Sequence, residues 1–219
     1  MREQKLYRIN HKKVLRLMRL MNLKAIYAKP RTVFARKKDV ICKYPYLLKD
    51  LEISQANQVW STDITYIKMP KGFVYLTALI DVYSRFVISW KLSISMDTEF
   101  CLGVLNKGLE QYKPEIINSD QGSQFTSNDW VNSLKSNDIK ISMDGVGRWA
   151  DNIFIERFWR TLKQEQIYIN PSDNIAELKQ QIDSFIEFYN HQRPHQALEY
   201  QTPSQVFYGD KMRRKELVF

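Results

Sequence analysis

The alternation of polar and apolar positions changes character at residue 59. From there VWSTDITYIKM alternates and is rich in β-branched and aromatic side chains, the pattern of a strand with two unlike faces. Lys71-Gly72 predicts a turn. FVYLTALIDV is apolar on both faces, as expected of a central strand covered on each side, and FVISWKLSI reads as a third strand. Short connections between the three predict an antiparallel meander. Asp97 or Thr98 then opens a helix to about Tyr112, closed by Pro114. The short strand EIINS follows, then a helix near residues 128–137 and the strand IKISM. Two more helices are expected, from about Asp151 to Tyr168 and from about Asp173 to Tyr189. The order βββ-α-β-α-β-α describes an α/β fold, a mixed sheet with helices on its faces.

Upstream the texture differs. Asn10 caps a short helix reaching about Met21, with an apolar stripe of Val14, Leu15, Leu17, Met18 and Met21. Lys12, Lys13, Arg16 and Arg19 coat its other side. The stretch AKPRTVFARKKDVICKYPYLLKD has no periodicity, two prolines and a run of cations, so it reads as a linker. The expected organisation is a basic helical region (1–28), a basic linker (29–56), a main body (57–170) and a C-terminal helix with an extension (171–219).

Charge sharpens this division. The net charge is +9, but residues 1–56 hold 15 Lys/Arg against 4 Asp/Glu, whereas residues 57–219 hold 18 against 20. A basic arm on a near-neutral body points to a polyanion partner, most simply nucleic acid. Two cysteines, Cys42 and Cys101, are too few for a disulfide scaffold or a four-thiolate zinc site. The N-terminus has no apolar signal core, and the apolar stretch Gly72–Trp90 is interrupted by Asp81, Ser84 and Arg85. The expectation is a cytoplasmic protein with no membrane partner.

Three carboxylates look out of place. Asp63 sits in mid-strand, sharing its face with Ser61 and Thr65, where aspartate packs poorly. It needs a hydroxyl, an arginine or a metal. Asp120 follows EIINS in SDQGS, either an ordinary turn residue or a ligand at the carboxyl end of a strand. Glu156 lies on a helix face with Asn152, Arg160 and Lys163, opposite Phe154, Ile155, Phe158 and Leu162. That face is either a solvated Glu–Arg pair or part of a site. Two acids from adjacent strands and one from a helix packed beside them would suit Mg²⁺, a hard cation that prefers oxygen ligands. Two such ions would activate the attacking oxygen and stabilise the leaving oxygen of a phosphodiester.

The wording around these residues is more specific. Thirty-five residues separate Asp120 from Glu156. WSTDITYI, IDVYSR, NSDQGSQF, DNIFIERFWRTLKQE and YNHQRPHQALEYQTP occur in that order. In this the chain resembles the second-frame (OrfB) transposases of the third insertion-sequence family, within the DDE integrase-core superfamily that includes retroviral integrases. The resemblance implies a ribonuclease-H-like fold. It implies that Asp63, Asp120 and Glu156 bind two divalent ions, Mg²⁺ with Mn²⁺ able to substitute. It also implies that Lys163, seven residues after Glu156, contacts transposon-end DNA. The implied activity is metal-dependent cleavage at the element's ends and transfer of the 3′-OH into target DNA. Implied partners are end and target DNA, the first-frame (OrfA) product as a frameshift fusion, and further copies assembled on DNA in the bacterial nucleoid.

Some features lie at the margin of that resemblance. Asp81 belongs to the shared wording but not to the metal triad, so it is read as structural. Residue 118 is Asn where His is common in related elements. Residues 10–22 resemble only the tail of a longer helix-turn-helix region, which implies an internal start at Met1. Arg160 is a further candidate DNA contact, as are Lys12, Lys13, Arg16 and Arg19. Arg193 is a candidate phosphate contact. Pro194 breaks any helical pairing of His191 with His195, so both are read as structural or as backbone contacts. A ribonuclease-H-type nuclease acting on RNA–DNA hybrids is the enzymatic alternative. A truncated DNA-binding relic is the non-enzymatic one.

Overall fold

The structure, a computed structural model, describes residues 10–23, 44–144 and 152–209. The chain divides into two compact units, residues 1–34 and 35–219. In the first, the described residues form helix α1 (His11–Leu20). Its start is fixed by Asn10, whose side-chain oxygen accepts the Lys12 N–H at 2.9 Å. Its end is a Schellman turn. Asn22 adopts left-handed backbone at φ 53°, the Asn22 N–H reaches the Arg19 carbonyl, and the Leu23 N–H reaches the Met18 carbonyl. The apolar stripe is there as a pattern, but Val14, Leu15, Leu17 and Met21 are exposed, as are Lys12, Lys13, Arg16 and Arg19.

The described residues of the second unit build a five-stranded sheet of β1 (Val59–Met69), β2 (Gly72–Asp81), β3 (Val87–Ser93), β4 (Ile116–Ser119) and β5 (Lys140–Met143), in the spatial order β3-β2-β1-β4-β5. β1 pairs antiparallel with β2 and parallel with β4, so it lies where the meander meets the α/β half. The helices are α2 (Thr98–Leu109), α3 (Asn128–Ser136), α4 (Ile153–Leu162), α5 (Ile175–His191) and α6 (Pro203–Tyr208).

Each face of the sheet carries its own core, because side chains alternate along a strand. Trp60 and Leu79 join Phe100, Leu105, Trp130 and Leu134 of α2 and α3. Ile67, Leu76 and Ile80 join Phe158, Leu162, Ile182 and Tyr189 of α4 and α5. Helix α2 lies close to the sheet at Gly108, where a Cβ would come within 3.2 Å of Trp60 and of Leu79. The expected helix over 151–168 starts as α4 and then widens to a π-turn at Lys163–Ile167.

Part of the expected linker is not one. Within 29–56, the residues from Tyr44 onward are described, and they pack on the body. Leu47, Leu48, Leu51 and Ile53 cover Val59, Val82 and Ile116. The Leu47 N–H donates to Ser142 Oγ at 3.0 Å. Spaced aliphatic side chains there outweigh the prolines and cations that suggested a solvated tether. Residues 29–43, with Cys42, lie outside the described residues.

The C-terminal segment pairs with the first residue of the edge strand β3. The Asn190 side-chain amide accepts from the Val87 N–H at 2.9 Å and donates to the Val87 carbonyl at 3.0 Å, replacing a ladder partner. Phe207 of α6 stacks on Phe86. Among the described residues, no helix is long and apolar enough to cross a membrane.

Candidate active site

Asp63 comes to the sheet rim because β4 is short. Parallel pairing sets Ser61 opposite Asn118, so two residues further on Asp63 stands level with Asp120. β4 ends at Ser119, which leaves that side of β1 uncovered just where Asp63 sits. The turn after β4 is held by side chains. Asn118 donates to Asp144 Oδ1 at 2.7 Å and accepts from the Ser142 hydroxyl at 2.8 Å. Gln121 donates to the Asp144 carbonyl at 2.6 Å. Asp120 Oδ1 accepts the Gly122 N–H at 2.9 Å. A Cβ on Gly122 would lie 2.9 Å from that same oxygen, so any larger residue would displace the Asp120 carboxylate.

The electrostatics of this rim are unfavourable to it as it stands. Burial first, and repulsion from Asp120 second, push the Asp63 carboxyl up to about 7; Glu156 adds to the repulsion, and N–H donors of Ile64 and Trp159 oppose it. Asp120 and Glu156 are exposed residues at the rim, and partial desolvation raises the proton affinity of both. Among the described residues, no three His, Cys, Asp or Glu side chains are grouped closely enough to hold one metal ion. The fold thus pairs Asp63 with Asp120 and sets Glu156 within their field.

Helix α4 delivers Glu156 from its first turn. Ile155, Phe158, Trp159 and Leu162 are buried, as the periodicity predicts. Its expected polar face is not uniformly solvated. Asn152 is buried at the N-cap and does not cap the helix; it accepts from the Ser61 hydroxyl and donates to the Thr62 carbonyl at 3.1 Å. Lys163 donates to the Thr65 hydroxyl at 2.6 Å and lies 5.3 Å from the Tyr66 ring. Glu156 and Arg160 are exposed. Trp159, which its sequence position left unassigned, donates its indole N–H to Asp63 Oδ2 at 3.0 Å. Trp149 lies outside the described residues.

Other sequence candidates settle elsewhere. Arg193 forms a bidentate pair with Glu165 at 2.6 and 2.8 Å, so its guanidinium already faces a carboxylate. His195 meets the Tyr189 ring edge-on, and burial pushes its imidazole down to about 4. His191 lies 3.7 Å from Glu187. Asp81 is fully buried and accepts from the Asn57 N–H, the Ser84 N–H and the Ser84 hydroxyl at 2.6–2.8 Å. It fastens the turn that leads to Arg85, whose guanidinium stacks 3.7 Å over Phe154.

Comparison with known proteins bears on this rim. The integrase core domain family matches residues 53–148, and a second integrase core domain family matches residues 137–203. The transposase for insertion sequence element IS904 of Lactococcus lactis is 33% identical over 199 residues, covering 89% of this chain and 79% of that protein. This chain belongs to the IS3 family of DDE transposases. The putative transposase InsK of IS150 in Escherichia coli is 34% identical to the transposase, over 89% of this chain and 70% of InsK. The transposase also shares its fold with retroviral integrases. The HTLV-2 integrase catalytic core, solved in complex with magnesium, superposes with a TM-score of 0.56 at 20% identity over 70% of this chain and 97% of that one. A chain of the simian T-cell lymphotropic virus intasome, solved in complex with the PP2A regulatory subunit B56 gamma, gives 0.61 at 17% identity over 92% of this chain and 68% of that one. The ribonuclease-H-like architecture expected from the sequence is therefore the observed one.

Proposed function

We propose that this transposase cuts DNA at the ends of its element and joins the freed 3′-OH to target DNA, with Asp63, Asp120 and Glu156 as ligands for divalent cations. The observation that carries this reading is the pairing of two carboxylates at one sheet rim, the half-buried Asp63 and the exposed Asp120, with Glu156 adding to the repulsion on Asp63. Hard oxygen donors crowded in this way suit Mg²⁺, or Mn²⁺ in its place. When bound, two such ions polarise the scissile phosphate and stabilise the charge that develops on it. The chain itself supplies the placement. Asp63 is held on a central strand, Asp120 on a turn braced by Asn118, Gln121 and Gly122, and Glu156 on the first turn of α4. In the first step a water oxygen bonds to phosphorus as the bond to the 3′ oxygen breaks. In the second, that 3′-OH attacks a target phosphorus and displaces the target's own 3′ oxygen.

Lys163 and Arg160 lie along the same helix and its π-turn, and in this reading they meet end DNA. Arg193 meets a phosphate only when its pair with Glu165 opens. Lys12, Lys13, Arg16 and Arg19 of α1 add sequence-independent attraction to the backbone. Residues 57–170 form the catalytic body, with an OrfA fusion and further copies completing the complex on DNA. The test is nicking and joining of an end-sequence duplex with and without Mg²⁺. Both steps are expected, both requiring the metal, and both lost in Asp120→Ala. Cleavage of an RNA–DNA hybrid without joining would instead make the protein a ribonuclease-H-type nuclease. DNA binding without cleavage would make it a relic.

A further inference from the structure

Helix α4 and its π-turn meet β1 through polar side chains at three successive positions of one strand face. The Ser61 hydroxyl is bonded to Asn152, the Asp63 carboxylate to the Trp159 indole, and the Thr65 hydroxyl to Lys163. A strand places residues two apart on one face, and the helix places residues four and seven apart on one side, so the two repeats match here. The bonds at 152 and 159 bracket Glu156. The same ladder therefore fixes the helix that carries Glu156 and the rotamer of Asp63.

The middle bond differs in kind from its neighbours. A buried indole N–H needs an acceptor, and hydroxyls or carbonyls ordinarily serve. Trp159 is buried within the core on the α4 face, yet its N–H is directed at the carboxylate that Asp120 and Glu156 repel. Phenylalanine or leucine would fill that space with no donor. We propose that Trp159 is a positioning residue, whose indole N–H engages Asp63 Oδ2 so that Oδ1 is presented to a divalent cation, with Asn152 fixing the helix register. The inference rests on the reading of Asp63 as a cation ligand. It adds a residue that touches neither DNA nor metal. Partners that orient a ligand in this way are worth about 10–100-fold in metal affinity or activity.

The experiment uses the full chain and titrates MnCl₂ and MgCl₂ by calorimetry into wild type, Trp159→Phe and Asp63→Asn. Circular dichroism checks that each variant is folded. Trp159→Phe is expected to bind Mn²⁺ about 10-fold or more weakly, and its nicking rate to recover in part at raised metal concentration. Asp63→Asn is expected to lose the binding. If Asp63→Asn loses it while Trp159→Phe binds like wild type, Trp159 only packs and the inference is overturned. If Asp63→Asn binds like wild type, the parent reading of Asp63 fails instead. Should Trp159→Phe not fold, the ¹⁵N resonance of the Trp159 indole in the wild type decides. It is expected to shift during Mg²⁺ titration with the calorimetric midpoint, and a resonance that stays still overturns the inference.

Discussion

Two aspartates, 18 residues apart in the sequence, one fully buried and one half-buried, show how differently the fold can surround an acid. Asp81 and Asp63 both lie on the paired strands β1 and β2, and burial raises the proton affinity of both. Around Asp81 every neighbour opposes that rise: the backbone N–H groups of Asn57 and Ser84, the Ser84 hydroxyl and the charge of Arg85. Around Asp63 the next largest influence, the Asp120 charge, adds to it. The first environment is complete without any added group. The second leaves a repelled charge, which in the proposed reading a cation would neutralise. Burial alone does not tell them apart; the sign of the second contribution does.

The largest test of this contrast is Asp63→Asn. Removing a cation ligand worth several kcal/mol to the transition state should slow nicking by about 10³-fold or more. The same change should stabilise the metal-free protein at pH 7.5, by at most about 4 kcal/mol, since a partly desolvated and repelled charge is gone. The pH dependence follows from the direction of the shift. Asp63 holds its proton more tightly in the folded state, so its contribution to stability is full below its ordinary value near 3.8 and is lost as the pH rises to about 7. The gap in Tm between Asp63→Asn and wild type should therefore open between about pH 4 and 7 and stay constant above. A gap that is flat over that range would remove the contrast with Asp81.

Asp81→Ala should act the other way. It leaves three donors unpaired in the core and should cost about 3 kcal/mol in urea unfolding, with nicking per folded molecule unchanged within about threefold. Loss of catalysis at full stability would mean that Asp81 belongs to the chemistry after all. Gly122→Ala should slow nicking by about 10-fold, through displacement of the Asp120 carboxylate by the new Cβ, and should move Tm by less than about 2 °C. Glu165→Gln should have the smallest effect. It removes an exposed ion pair worth less than about 1 kcal/mol, and it frees Arg193. Tighter binding of end DNA in that variant, measured by fluorescence anisotropy at two salt concentrations, would place Arg193 on the phosphate path.

Much of the body was legible in the chain. The strand VWSTDITYIKM has the bounds of β1, and the order of elements after it is the observed one. Side-chain direction in strands and helices follows from local geometry, so period alone sorts Trp60 from Ile67 and Phe158 from Glu156. Leu47, Leu48, Leu51 and Ile53 were misread because they show no period. They cover the body as an irregular segment, which leaves no regular signature in sequence. Whether the face of Asn152 and Lys163 is solvated or part of a site stayed open in the sequence, because a helical wheel takes no account of a strand beside it. Trp159 and Gly122 could not be singled out, since what distinguishes them is a bond of 3.0 Å to Asp63 and a 2.9 Å approach to Asp120.

The amino-acid order by itself determined the elements, the basic arm and three acids set in family wording, all of which depend on neighbours a few residues away. Only the folded chain decided that Asp63 stands level with Asp120, that Asp81 is satisfied, and that an indole holds the central carboxylate. Those outcomes depend on strand register and on distances through space. The state of a charge is set by what surrounds it in three dimensions, and the residues surrounding Asp63 lie as many as 96 positions away along the chain.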